Sequence, residues 1–182
     1  LHRAMKYAIG PRREIGIRTI FNILGPLTNP AGAKAQILGV YEEALVNRLA
    51  GVLCRLGSNR AFVVHSLDGL DEVSICDGTR VCEVKEGALE SRIVYPEDFG
   101  LKRACPEDIK GGDPALNARI ALEILEGGKS PCRDIVVLNA AFAIVAGGLA
   151  SDITEAFYLA ERSIDTGGAL NRLNRLIEYT NQ

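Results

Sequence analysis

Residues 61–72, Ala61-Phe62-Val63-Val64-His65-Ser66-Leu67-Asp68-Gly69-Leu70-Asp71-Glu72, pass from an unbroken apolar run directly into a carboxylate-rich loop. The run predicts a buried strand, so Asp68, Asp71 and Glu72 fall at its end, where ligands gather in open α/β sheets. Upstream, residues 35–40 predict another buried strand. Leu45, Leu49, Val52, Leu53 and Leu56 then recur at helical spacing until Gly57 closes the helix, which makes a β-α unit. Downstream, the period falls to two at Val73, Ile75, Val81, Val84, Ile93 and Tyr95. This predicts a hairpin that turns at Asp77-Gly78, with a further strand at the sheet edge. Asp113-Pro114 predicts the cap and first position of a helix with Leu116, Ile120, Ile124 and Leu125 inward. Residues 134–146 are apolar almost all round, and their length and alanines predict a buried helix. Two polar-faced helices around Thr166-Gly167-Gly168 complete the chain. The fold class is α/β, a largely parallel sheet flanked by helices with an inserted β-hairpin.

Of 182 residues, 47% are apolar and 24% charged, a globular balance at a length that buries roughly 70% of the unfolded surface. No run approaches a membrane span, and the opening LHRAMKYAIG lacks the apolar centre of a signal peptide, so the expectation is a soluble, cytoplasmic protein without membrane contact. Cys54, Cys76, Cys82, Cys105 and Cys132 are odd in number and scattered, with only two histidines beside them, which predicts reduced thiols rather than disulfides or zinc. A net charge of −2 and a pI near 5.8 speak against a nucleic-acid partner.

Residues 11–30, PRREIGIRTIFNILGPLTNP, put basic side chains among glycines and prolines. Arg12, Arg13 and Arg18 carry guanidinium forks suited to carboxylates and phosphates, and Gly25-Pro26 and Asn29-Pro30 predict turns in a long loop reaching about Gly32. The segment reads as a preformed anion-binding surface. Asp71 and Glu72, adjacent in a turn, can both reach one cation, and magnesium typically takes one or two carboxylates plus phosphate oxygens and water. Asp68 has the weaker claim and shapes the turn with Gly69. His65 has no nucleophile at a readable spacing and is read as structural. Gly111-Gly112-Asp113 is read as a loop and helix cap, and Asn117 and Asn139 as ties between backbone groups.

RRxxGxRTxFNxLGPLTNP, then VVHSxDGLDE, GGDPALNAR, VLNAA and a final SIDTG occur here in order. Together they resemble the anthranilate phosphoribosyltransferases of tryptophan biosynthesis over almost the whole chain. The resemblance implies a nucleoside-phosphorylase/phosphoribosyltransferase-like C-terminal domain over residues 1–182. It also implies an N-terminal helical domain and a glycine-rich Gly-Thr-Gly-Gly-Asp donor loop that belong upstream of Leu1. The implied reaction is transfer of a 5-phosphoribosyl group from phosphoribosyl pyrophosphate to anthranilate, with magnesium and a homodimer when full length. Arg12 takes the place of the arginine that meets the anthranilate carboxylate, Gly25 and Pro26 line the aromatic's pocket, His2 stands near it, and Asp71 and Glu72 hold the metal. No residue is assigned as a catalytic nucleophile or base. The rival readings are a non-catalytic binding or interaction fragment and a nucleoside- or nucleic-acid-handling relative on the same fold. The low pI opposes nucleic acid, and GPLTNP opposes the nucleoside version.

Overall fold

The computed structural model describes residues 7, 10, 14–17 and 21–181. In chain order these form α1 (Phe21–Leu27), β1 (Ala35–Gly39), α2 (Ala44–Arg55), β2 (Arg60–Ser66), β3 (Thr79–Lys85) and β4 (Ala88–Val94). Two 3-10 turns (Pro96–Phe99 and Pro106–Ile109) lead to α3 (Pro114–Leu125), α4 (Pro131–Ala146), α5 (Ile153–Asp165) and α6 (Gly168–Thr180). The four strands lie in the order of the sequence; β1 and β2 are parallel, joined through α2, while β2–β3 and β3–β4 are antiparallel. The α/β class and the inserted hairpin are as expected, and the sheet of the described residues is mixed, with one parallel pairing of three.

β2 explains why helices cover both faces. Ala61 and Val63 point to one side and pack with Leu38, Val46, Leu49, Leu53 and Val84 beneath α2. Phe62 and Val64 point to the other and pack with Val73, Ile75, Leu138, Phe142 and Val145 beneath α4. The Phe62 and Phe142 rings meet edge to face at 5.1 Å between centroids. A strand apolar at every position needs cover on both sides, and the flanking helices supply it. β1, expected to be buried, is covered mainly at Leu38, and Ala35 is exposed.

Asp113 caps α3 by accepting a hydrogen bond from the Leu116 N–H (2.8 Å), as expected, and Ser130 and Asp152 do the same for α4 and α5. Two expectations need correction. The hairpin turns at Glu86-Gly87, both with positive φ (50° and 81°), not at Asp77-Gly78. A two-residue turn of that hand matches the twist of the strands. Asp77-Gly78 instead leads into β3, and Val73 and Ile75 reach the core from an irregular segment. Gly25-Pro26 likewise lie within α1, not in a loop. The helix persists because the Thr28 N–H still reaches the Leu24 carbonyl at 3.0 Å, beyond the bond that Pro26 forgoes. It stops at Asn29-Pro30, before Gly32 at φ 63°.

Candidate functional site

The parallel strands β1 and β2 end side by side, Gly39 paired with Val64, and the acidic turn lies just past both carboxyl ends. Its approach to β1 is very close. A Cβ built on Gly39 would stand 1.6 Å from the Asp71 carbonyl oxygen, so only glycine admits the loop there. The neighbouring backbone is held as well: the Val40 N–H donates to the Val64 carbonyl at 3.0 Å, and His65 Nδ1 donates to the Val40 carbonyl at 2.7 Å. A carbonyl only accepts, so the proton is on Nδ1. His65 thus ties β2 to the residue that follows β1.

Before the acidic pair, the Ser66 N–H donates to the Leu70 carbonyl at 2.9 Å, closing the turn around Gly69. Asp68 braces it, accepting from Ser66 Oγ, from Ser74 Oγ at 2.6 Å and from the Leu70 N–H at 3.3 Å. Desolvation pushes the Asp68 carboxyl upward, but these hydrogen bonds together outweigh it and hold the group below the usual aspartate range. After the pair, Asn139 on α4 takes both backbone groups of Val73: Oδ1 accepts from the Val73 N–H and Nδ2 donates to the Val73 carbonyl, each at 2.9 Å.

Between these fixed points the Asp71 and Glu72 side chains are exposed, and among the described residues neither has a hydrogen-bond or ion-pair partner. Glu72 also stands at the rim of a largely aliphatic cleft of about 600 Å³, formed by Ile109, Ile120, Ile124 and Ile135 with Gly111 and Asn117. Asn117 shapes this rim; its Oδ1 accepts from the Gly112 N–H at 2.8 Å and its Nδ2 donates to the Gly112 carbonyl at 3.1 Å. Gly25 and Pro26 are exposed on α1, and Pro26 lines a separate cleft of about 140 Å³ with Leu27, Lys34, Gln36 and Leu53. Arg12, Arg13, Arg18 and His2 lie outside the described residues. Sequence reading missed Gly39, whose part is visible only once strand and loop meet.

Residues 1–170 match a family described as glycosyl transferase family, a/b domain. The chain belongs to the glycosyl transferase family. Among curated members, it is 57% identical over 180 residues to the anthranilate phosphoribosyltransferase of Syntrophotalea carbinolica and 55% identical over 182 residues to that of Geobacter sulfurreducens. These matches take in 99% and 100% of this chain but 51% and 52% of the relatives, so the chain spans about half their length. Two solved structures share its shape. The Thermus thermophilus anthranilate phosphoribosyltransferase superposes with a TM-score of 0.91 at 40% identity, covering 100% of this chain and 54% of that one. The Saccharomyces cerevisiae enzyme, in complex with PRPP and Mg, gives 0.86 at 31%, covering 97% and 51%.

Proposed function

We propose that this chain is the C-terminal α/β domain, residues 1–182, of an anthranilate phosphoribosyltransferase. The whole protein moves a 5-phosphoribosyl group from phosphoribosyl pyrophosphate to the amine of anthranilate, in tryptophan biosynthesis. The observation that carries the reading is the acidic turn: two exposed carboxylates, without partners among the described residues, past the carboxyl ends of the two parallel strands. Their donor set suits magnesium. Two carboxylates from one turn leave most coordination positions to water and phosphate oxygens, which is how Mg²⁺ is usually held in phosphate chemistry.

In the reaction the bond from ribose C1 to pyrophosphate oxygen breaks, the amine nitrogen forms the new bond to C1, and the amine gives up a proton. Magnesium, when bound, offsets the charge of the departing pyrophosphate. Asp71 and Glu72 hold that cation at the strand ends, and Arg12 orients the acceptor by its carboxylate, with Gly25 and Pro26 beside the aromatic ring and His2 near it. No side chain of the chain serves as nucleophile, because positioning and charge neutralisation suffice for a loose, oxocarbenium-like centre. The reading includes a cytoplasmic location and a homodimer in the whole protein. No helix among the described residues is long and apolar enough to cross a membrane.

The test is a chimera in which these 182 residues replace the matching half of the Syntrophotalea carbinolica relative. Loss of anthranilate fluorescence should require phosphoribosyl pyrophosphate and magnesium. The nearly isosteric double substitution Asp71→Asn/Glu72→Gln should raise the magnesium requirement and lower turnover. A folded chimera that leaves anthranilate untouched, or a double variant with unaltered magnesium dependence, would refute the reading.

A further inference from the structure

Asp71 and Glu72 occupy a gap of two residues between two pinned ones, and the pins belong to different parts of the fold. Leu70, before the pair, is held by the Ser66 N–H at the end of β2. Val73, after it, is held by a side chain 66 residues further along the sequence, Asn139, in the middle of α4. The primary amide of Asn139 engages the Val73 peptide on both sides, as a neighbouring strand would, in a stretch where Val73 has no such neighbour. Its Nδ2 also donates to the Ile135 carbonyl at 2.9 Å on its own helix, so the amide is held by three hydrogen bonds and has one orientation available. α4 is anchored by Leu138, Ala141, Phe142 and Val145, all wholly buried. Asn139 therefore connects a helix anchored in the core to the exposed turn.

We infer that Asn139 is a positioning residue for the divalent-cation site, fixing where the Asp71 and Glu72 carboxylates stand without touching the ion. This role rests on the reading of that pair as cation ligands. A partner that orients a ligand typically governs metal affinity by about 10- to 100-fold. Asn139→Asp is the informative change. It keeps shape and volume but replaces the Nδ2 donor by a second acceptor, which faces the Val73 and Ile135 carbonyls with nothing to donate. Its added negative charge would by itself favour a cation, so weaker binding reports lost geometry, not lost charge.

The chimera of this chain with the matching half of the Syntrophotalea carbinolica relative, in the presence of phosphoribosyl pyrophosphate, is titrated with Mn²⁺ as the probe, followed by water-proton relaxation with Mg²⁺ as competitor, while Val73 amide exchange is read by NMR. Wild type should bind saturably with Val73 protected, and Asp71→Asn/Glu72→Gln should lose binding with Val73 still protected. Asn139→Asp should bind about 10-fold or more weakly with Val73 exchanging fast. Ser130→Ala removes the cap at the start of the same helix and serves as the stability control. It should unfold more easily yet bind as wild type does. Should Asn139→Asp not fold, Asn139→Ala removes the amide without adding a charge. Wild-type affinity in a folded Asn139 variant whose Val73 amide has become exposed would overturn the positioning role and leave the metal reading standing. Absent binding in wild type, or undiminished binding in the Asp71/Glu72 double variant, would overturn the metal reading and the role of Asn139 with it.

Discussion

Gly39→Ala adds one methyl group where the space is already taken. The new Cβ would sit 1.6 Å from the Asp71 carbonyl oxygen and 2.6 Å from its carbonyl carbon, nearly 2 Å short of an ordinary contact. Gly39 does not have a positive φ, so alanine brings no backbone strain and the whole effect is steric. One side must move. The β1 end is tied by the Val40 N–H to Val64 and by His65 to the Val40 carbonyl, whereas Asp71 is exposed, so the loop yields. A shift of that size two residues from Val73 breaks its paired bonds to Asn139. Two hydrogen bonds at about 1 kcal/mol each, with about 1–3 kcal/mol of overpacking, give a loss of about 3–5 kcal/mol. With an m-value near 2 kcal/mol/M, the urea midpoint should fall by about 2 M, and Mn²⁺ affinity should fall with it. A midpoint and an affinity both equal to wild type would show that the loop does not rest on Gly39.

Arg12→Ala in the chimera should weaken anthranilate use by on the order of 10- to 150-fold while the Michaelis constant for phosphoribosyl pyrophosphate holds, since only the acceptor's carboxylate loses its partner; unchanged anthranilate kinetics would remove Arg12 from the site. Arg133 is almost wholly buried and has Asp165 Oδ1 2.8 Å from Nη2, an ion pair too poorly aligned to count as a hydrogen bond. Asp165→Asn should destabilise by about 1–2 kcal/mol, below the ~3–5 kcal/mol of a fully buried pair because Asp165 is half exposed and Glu161 stands 3.9 Å away; a larger effect than that of Arg133→Met would fit a stranded charge, and the reverse order of urea midpoints would not. Asp68 has a folded pKa depressed below its unfolded value, so its contribution is fully present above roughly pH 4 and is lost as pH falls through the folded value. The gap in urea midpoint between wild type and Asp68→Asn should therefore be widest near neutrality and narrow as the pH falls below the usual aspartate range, and a gap that does not change with pH would show that ionisation is not what matters.

The helices could be read from the sequence because their signals are local. Asp113-Pro114 carries its own cap, the period of residues 45–56 carries its own apolar face, and residues 134–146 are too long for a strand. The turns were harder. Asp77-Gly78 and Glu86-Gly87 both offer a glycine after an acidic residue, and the choice between them is made by register: Val84 opposite Leu89 and Cys82 opposite Ser91 leave residues 86 and 87 as the turn, which no short window reveals. Gly25-Pro26 misled for the converse reason, since a helix of seven residues tolerates a proline near its end when the next bond, Thr28 to Leu24, still forms. The acidic pair was visible because carboxylates after an apolar run are a one-dimensional pattern. Its supports, Gly39 and Asn139, lie 32 and 68 residues from Asp71 in sequence, and only the sheet and α4 bring them to it.

The groups that hold the acidic turn are uncharged apart from Asp68, and they come from β1, the end of β2, the 66–74 loop and α4. In the proposed role, neutral hydrogen bonds and a close glycine contact would lose little as a cation and a polyanionic phosphate arrive and leave, whereas a basic residue holding Asp71 or Glu72 would have to be displaced by the ion it competes with. A turn held this way keeps both carboxylates available and costs little reorganisation when charge enters the site. The consequence separates two kinds of substitution. Changes along the path from α4 through Asn139 to Val73, or at Gly39, should lower stability and cation affinity together. Changes elsewhere on the same helix, such as Ser130→Ala, should lower stability alone. Plotting Mn²⁺ affinity against urea midpoint for both sets should give two distinct lines, and a single line would mean that the turn merely reports the stability of the fold.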